Sequence, residues 1–208
     1  MQGQSANEQR APKLGDAGRF LRSLAARPHL AGAVAPSGRA LARAMAAAVD
    51  PEAPGLIVEL GPGTGPVTRA LIERGVEKRR LVLVEYNPTF CRLLESRFAP
   101  ARIIEGDAYD LPAALAALAD ETVAAVVSSL PLLIQPPRRR ERLLGAAFAR
   151  MGPRGVFVQF TYGLVSPIPL KSLASRYAAN GGAPIWLNLP PARVWTYRLR
   201  DPSRGRHA

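Results

Sequence analysis

From residue 56 onward, short apolar runs alternate with segments of helical periodicity. Runs rich in β-branched residues at 56–60, 81–86, 102–106, 123–128 and 155–161 predict buried strands. Between them, 66–74, 88–98, 110–119 and 137–151 place apolar residues at helical spacing. Strands alternating with helices need crossover connections, which are right-handed and build a parallel sheet. The pattern changes after 161. Residues 168–178 predict a helix, Asn180-Gly181-Gly182 a turn, and 184–189 and 193–200 two strands with a short link. That pair suits an antiparallel hairpin at the sheet edge. The expected fold is α/β: a seven-stranded, mostly parallel sheet with an antiparallel C-terminal hairpin and helices on both faces.

Ahead of this core, Leu14, Ala17, Leu21 and Leu24 recur at helical spacing with Phe20 beside them, predicting a helix over 13–27 that Pro28 ends. Arg19 and Arg22 lie on its other face with Asp16. A short basic amphipathic helix either packs on its domain or lies on a membrane surface. A small-residue connector, 29–35, follows; its His29 has no local partner and reads as structural or exposed. Pro36-Ser37 opens a second helix, striped by Leu41, Met45 and Val49, which Asp50-Pro51 stops. Residues 1–12 and 202–208 are expected to be disordered. The expected division is a helical extension (1–50), one domain (51–201) and a tail (202–208).

A chain of 208 residues with 48% hydrophobic content can bury the core of one such domain. Cys91 is the single cysteine, so no intrachain disulfide forms and nothing demands an oxidising compartment. The first ten residues are polar, with no signal peptide behind them, and the longest uncharged stretch, 122–137, is broken by three prolines. A cytoplasmic location is expected. The net charge of +12 comes from 28 Lys and Arg against 16 Asp and Glu. Nucleic acid or an anionic membrane surface suits that charge, and so does a basic surface with no dedicated partner.

The chemistry starts at the end of the first strand. Glu59-Leu60-Gly61-Pro62-Gly63-Thr64-Gly65 carries three glycines at alternate positions, and Pro66 opens a helix. Glycine permits positive φ and close approach of a ligand, and the helix start offers free N–H groups. The dinucleotide fingerprint G-x-G-x-x-G is broken by Pro66 at its last position, which disfavours a pyrophosphate cofactor. Glu85 ends the second strand and is placed to take both hydroxyls of a ribose. Asp107 ends the third and can accept the exocyclic amine of adenine, with the Ala108 N–H serving a ring nitrogen. Ser128 ends the fourth. Ligands of open α/β sheets bind beyond the strand carboxyl ends, so these residues line one rim.

The pattern E-x-G-x-G-x-G resembles motif I of the class I methyltransferases. The resemblance implies a Rossmann-like fold, S-adenosylmethionine as cofactor (leaving as S-adenosylhomocysteine) and no metal. The cofactor set it implies is Glu59, Gly61, Pro62, Gly63, Thr64, Gly65, Glu85, Tyr86, Asp107, Ala108 and Ser128. Two families within that class are similar to this chain. Ribosomal RNA adenine dimethyltransferases carry N-L-P-Y after the fourth strand; here Ser129-Leu130-Pro131-Leu132 lacks both the asparagine that holds the amine and the tyrosine that stacks on the base. Bacterial phospholipid N-methyltransferases resemble it over most of its length. The shared pieces are Phe20-Leu21, Gly32-Ala33-Val34, Pro36-Ser37-Gly38, Leu41 to Met45, Glu59 to Gly65, Ser128 to Leu132, and Gln159-Phe160-Thr161-Tyr162-Gly163.

That second resemblance implies stepwise methylation of phosphatidylethanolamine towards phosphatidylcholine on the inner membrane face, with docking through a basic N-terminal helix and no role for nucleic acid. It implies a peripheral location on the cytoplasmic membrane and no obligate protein partner. Tyr162, Ser129 and Glu59 are the candidate catalytic residues, Tyr162 being open also to a plain core role. Arg19, Phe20, Arg22, Arg138, Arg139, Lys171 and Arg176 are candidates for the headgroup phosphate or the membrane, the run 138–142 being open to a merely solvated role. Alternatives are an RNA adenine N6-dimethyltransferase, a small-molecule N-methyltransferase and a non-catalytic protein of the same fold.

Overall fold

Seven strands form one sheet in the order β3-β2-β1-β4-β5-β7-β6. The computed structural model describes residues 36–169, 174–188 and 190–200, with the side chains of Pro36 and Ser37 excepted. The expected helix 13–27 and connector 29–35, Lys171 and both expected disordered ends lie outside these residues. In chain order the elements are α1 (Pro36–Ala47), β1 (Leu56–Leu60), α2 (Pro66–Glu73), β2 (Leu81–Glu85), α3 (Pro88–Phe98), β3 (Arg102–Glu105), α4 (Leu111–Ala114), β4 (Val123–Ser128), α5 (Pro137–Arg150), β5 (Met151–Thr161), β6 (Tyr177–Gly181) and β7 (Arg193–Leu199). Strands β1 to β5 are parallel; β7 runs antiparallel to both β5 and β6.

The near-continuous apolar strands follow from burial on two faces. Leu56, Val58, Leu60, Val82, Val84, Val126 and Phe157 point to one face and meet α4 and α5. Ile57, Leu81, Leu83, Val127 and Val158 point to the other and meet α1, α2 and α3. Helix starts follow the sequence rules: proline opens α2, α3 and α5, and Asn87 Oδ1 accepts the Thr89 N–H at 2.9 Å to cap α3. Arg80 anchors the turn leading into β1, donating to the carbonyls of Pro51, Ala53 and Gly55.

Two expectations are corrected. The predicted helix 110–119 is one turn of α-helix, capped by Asp110, followed by a 3-10 turn over Ala116–Leu118. The C-terminal hairpin exists, but its first strand is 177–181 rather than 184–189, and the link is long. Tyr177, read as helical, is therefore in a strand, and so are Asn180 and Gly181, read as a turn. Gly181 suits that strand because a Cβ there would lie 2.9 Å from the Trp195 ring, a close approach only glycine allows. Among the described residues of 184–189, Ile185 alone pairs, in a single bridge to Ala192.

The turn after β1 is fixed by packing as well as by backbone conformation. Gly65 has φ 82°, and a Cβ there would sit 2.3 Å from the Phe98 ring. Gly65→Ala is therefore expected to lower unfolding free energy by at least about 2 kcal/mol in denaturant titration, from left-handed strain plus overpacking; an unchanged midpoint would show that the turn relaxes freely.

Candidate active site

Ladder hydrogen bonds continue past the strand ends and draw the rim together. Gly61 N–H donates to Val84 O at 2.9 Å, Gly106 N–H to Glu85 O at 3.0 Å, and Ser129 N–H to Leu60 O at 2.9 Å. In register, Leu60 faces Val84 and Ser128, Glu85 faces Glu105, and Ser128 faces Gln159. The glycine turn, Glu85, Asp107, Ser128, Ser129 and Tyr162 thus stand at one end of the sheet, as the sequence pattern predicts.

Gly61, Gly63 and Gly65 all have positive φ, at 67°, 57° and 82°. A Cβ on Gly63 would meet nothing within 4 Å, so its backbone faces open space. Its N–H donates to Glu85 Oε2 at 3.0 Å, while the Asn87 N–H donates to Glu85 Oε1 at 2.9 Å. The nearly buried Glu85 carboxylate is aimed by these two amides, and each oxygen keeps a lone pair suited to one of two vicinal hydroxyls. Pro62 is buried, and the Thr64 carbonyl accepts from Arg97 at 3.2 Å. Tyr86 projects into solvent beside Glu85.

Glu59 is wholly buried. Its Oε2 accepts from Thr68 Oγ1 at 2.6 Å, and its Oε1 has no hydrogen-bond partner among the described residues. Burial pushes its carboxyl up to about 8, with the Glu85 charge adding to the rise and the Thr68 hydroxyl opposing it. An unpaired buried carboxyl two residues before the turn fits an ammonium group, which would satisfy Oε1 and offset the desolvation of the carboxylate.

Asp107 Oδ1 accepts the Tyr109 N–H at 2.9 Å, and Oδ2 pairs with Arg139 Nη2 at 3.1 Å. Arg139 also lies 4.4 Å over the Tyr109 ring and donates to Gln135 Oε1 at 3.2 Å. The Asp107 carboxylate is half exposed, within reach of an exocyclic amine. Ala108 is buried in the core. Ser128 is buried too, and its Oγ accepts the Leu130 N–H at 3.4 Å, so this side chain shapes the turn after β4.

On the far side of the rim, half-buried Tyr162 packs edge-on against Phe160, with centroids 5.4 Å apart, and its hydroxyl stands close to the Asn188 side chain. Burial pushes its phenol above the ordinary value, so the hydroxyl keeps its proton. Asn188 is buried and ties back to Pro190 O at 2.7 Å. Gln159 is buried as well; its Nε2 donates to Leu130 O at 3.0 Å, holding the turn after β4, and its Oε1 is unpartnered among the described residues. Sequence reasoning missed Asn188, which sat inside a misplaced strand. It could have found Gln159, a polar residue in an apolar run.

Of the arginine candidates, exposed Arg138 and half-buried Arg139 open α5 beside this rim. Arg176 does not join them: it precedes Tyr177, which pairs with Leu199, whereas Arg193 at the other end of β7 pairs with Thr161 at the rim. Arg176 therefore stands at the opposite end of the sheet and is removed from the site. Arg19, Phe20, Arg22 and Lys171 lie outside the described residues. Among the described residues, no group of three His, Cys, Asp or Glu is placed to hold a metal. A groove of about 440 Å³ shares Thr64 and Gly65 with the turn but opens between α1 and α2, lined by Arg39, Arg43, Arg69 and Arg97; it is a basic surface rather than the chemical site.

Comparison with known proteins agrees with this geometry. A family model described as "Methyltransferase domain" matches residues 57–155. An ornithine lipid N-methyltransferase from Singulisphaera acidiphila is 34% identical over 131 residues, covering 62% of this chain and 68% of that protein. A ribosomal RNA small subunit methyltransferase A from Synechococcus sp. is 44% identical over 62 residues, 28% of this chain and 21% of that protein. Among solved structures, the Burkholderia thailandensis 1,6-didemethyltoxoflavin-N1-methyltransferase, with bound 1,6-didemethyltoxoflavin and S-adenosylhomocysteine, superposes with a TM-score of 0.62 at 17% identity over 94% of both chains.

The raised Glu59 carboxyl gives a signed pH dependence. Between its ordinary value of 4.5 and about 8, the folded ligand-free chain holds a proton that the unfolded chain has released. Its contribution to stability falls as pH rises through that window. Denaturant titrations from pH 5 to 8 are expected to show declining stability, and Glu59→Gln to flatten the decline; equal slopes in both proteins would assign the effect elsewhere.

Proposed function

The chain belongs to the class I S-adenosylmethionine-dependent methyltransferases, and we propose that it methylates the primary amine of a lipid headgroup, phosphatidylethanolamine, in steps towards phosphatidylcholine. The observation that carries the lipid class is the ornithine lipid N-methyltransferase, matched over two thirds of its length. The absence of the Asn and Tyr that the RNA enzymes carry in N-L-P-Y supports the same choice over a flipped base.

The residues fit the cofactor. Glu59 Oε1 would receive its amino group, Glu85 its ribose hydroxyls, and Asp107 its adenine amine, while the turn from Gly61 to Gly65 would admit the backbone-close portion. Bound there, S-adenosylmethionine supplies a methyl group activated on a sulfonium. Everything else falls to the chain's own groups. An alkylammonium has a pKa of roughly 10 by analogy with lysine, so the headgroup must lose a proton before its lone pair can accept a methyl. Partly buried Leu130, Pro131 and Tyr162 at this rim would disfavour the charged form. The Tyr162 phenol, held protonated by burial, is no base; its ring is suited to a methylated ammonium by cation–π attraction. Ser129 offers its hydroxyl to orient the amine. Arg138, with Arg139 once released from Asp107, answers the headgroup phosphate. Residues 13–27 are proposed as a membrane-docking helix, placing the enzyme on the inner face of the cytoplasmic membrane; no described helix is long and apolar enough to cross a bilayer.

The deciding experiment supplies methyl-labelled S-adenosylmethionine to the full chain with phosphatidylethanolamine liposomes, ornithine lipid liposomes and ribosomal RNA in parallel. Label is expected in mono-, di- and trimethylated phosphatidylethanolamine. Label in ornithine lipid alone would keep the lipid class and reject the headgroup; label in RNA alone would reject both. In the same assay Tyr162→Phe should stay within about threefold of the parent and Tyr162→Ala should lose about tenfold or more. Equal activity in both variants would remove Tyr162 from the mechanism.

A further inference from the structure

The large apolar side chains that the described structure leaves exposed all stand at one end of the sheet. Besides Tyr86 after β2, they are Leu133 and Ile134 after β4, Leu164 and Val165 after β5, and Trp186 and Leu187 in the link between β6 and β7. Leu164 is 81% exposed and Trp186 77%. None is needed for the core, and water-soluble surfaces rarely gather such groups without a partner.

The three segments form one surface. Leu133 Cδ1 lies 3.6 Å from where Gly163 would carry a Cβ. The Asn188 side chain of the third segment stands close to the Tyr162 hydroxyl of the second. Arg140 Nη1 donates to Pro167 O at 2.5 Å, tying α5 to the turn after β5. The charge is one-sided: residues 129–140, 161–169 and 182–193 contain Arg138, Arg139, Arg140 and Arg193 and not one Asp or Glu. Apolar tips carrying a tryptophan, in segments whose charged side chains are all arginine, match the boundary between headgroups and acyl chains of an anionic bilayer.

We infer that this rim is itself a membrane-docking surface, in which Leu133, Ile134, Leu164, Val165, Trp186 and Leu187 enter the headgroup boundary of an anionic lipid surface around the mouth of the site. The inference rests on the lipid-amine reading of that site. It adds a consequence: the headgroup rises a short distance to Tyr162 and Ser129 while its acyl chains stay in the bilayer, so no cavity for the chains is required. A docking helix within 13–27 would be a second anchor, acting together with this one.

The test follows Trp186 emission in the full chain carrying Trp195→Phe, with a Trp186→Phe chain as the converse probe should Trp195→Phe fail to fold. Vesicles of phosphatidylethanolamine with phosphatidylglycerol should shift Trp186 emission to the blue and cut its quenching by iodide about threefold or more. Trp186→Ser with Leu187→Ser should weaken vesicle sedimentation about tenfold or more while leaving S-adenosylmethionine affinity within twofold. A chain that sediments with vesicles while Trp186 stays fully quenchable would overturn the inference, as would a chain that ignores these vesicles. A dimer dissolved by the double substitution, with vesicle binding unchanged, would overturn it in favour of a second copy of this chain. Methyl transfer to detergent-dispersed phosphatidylethanolamine and ornithine lipid is read separately: its presence with an unprotected Trp186 rejects only the docking rim, and its absence from both lipids rejects the lipid-amine reading whatever Trp186 does.

Discussion

The site depends on a carboxylate held by two backbone amides. Glu85 sits at the end of β2, and the N–H groups of Gly63 and Asn87 reach its two oxygens at 3.0 and 2.9 Å. Without the Gly63 bond, β2 would hold the glycine turn only at its start, through the Gly61 N–H on the Val84 carbonyl. Without the turn, a nearly buried carboxylate would lose one of its compensating donors, which costs more than an ordinary hydrogen bond is worth. The left-handed conformations at Gly61, Gly63 and Gly65 are what let the chain double back far enough for that amide to arrive.

Packing on both sheet faces keeps this arrangement in place. Phe98 fills the space against Gly65 from one side and Leu130 crowds Gly61 from the other, so the turn is gripped between α3 and the segment after β4. Gln159 holds that segment in turn through Leu130 O. Rigid apolar strands therefore end in a rim whose polar atoms are either paired, like Glu85, or left unpaired in burial, like Glu59 Oε1. The unpaired atom is where a ligand gains most, since it removes a desolvation penalty the protein already bears.

Much of this was legible in the chain. Five β-branched runs, prolines at helix starts and the alternate glycines lead to the parallel sheet, and the acidic ends of β2 and β3 follow from strand length alone. The C-terminal region was not legible for a physical reason. Ile185, Trp186 and Leu187 look like strand because they are apolar, yet two of them are solvent-facing. Gly181 looks like a turn because it is glycine, yet it makes room for the Trp195 ring. Periodicity reports burial, and it fails where apolar residues are exposed. Arg176 fails differently: a sequence cannot say which end of a hairpin strand meets the rim, and only the antiparallel register moves it away.

Glu85, aimed by the turn, is the proposed anchor of S-adenosylmethionine. Equilibrium dialysis with Glu85→Ala measures this directly, with unfolding midpoints taken alongside. Affinity is expected to fall about tenfold or more, the loss expected for charge-assisted hydrogen bonds, in a chain that remains folded. Undiminished affinity in a folded Glu85→Ala chain would contradict it.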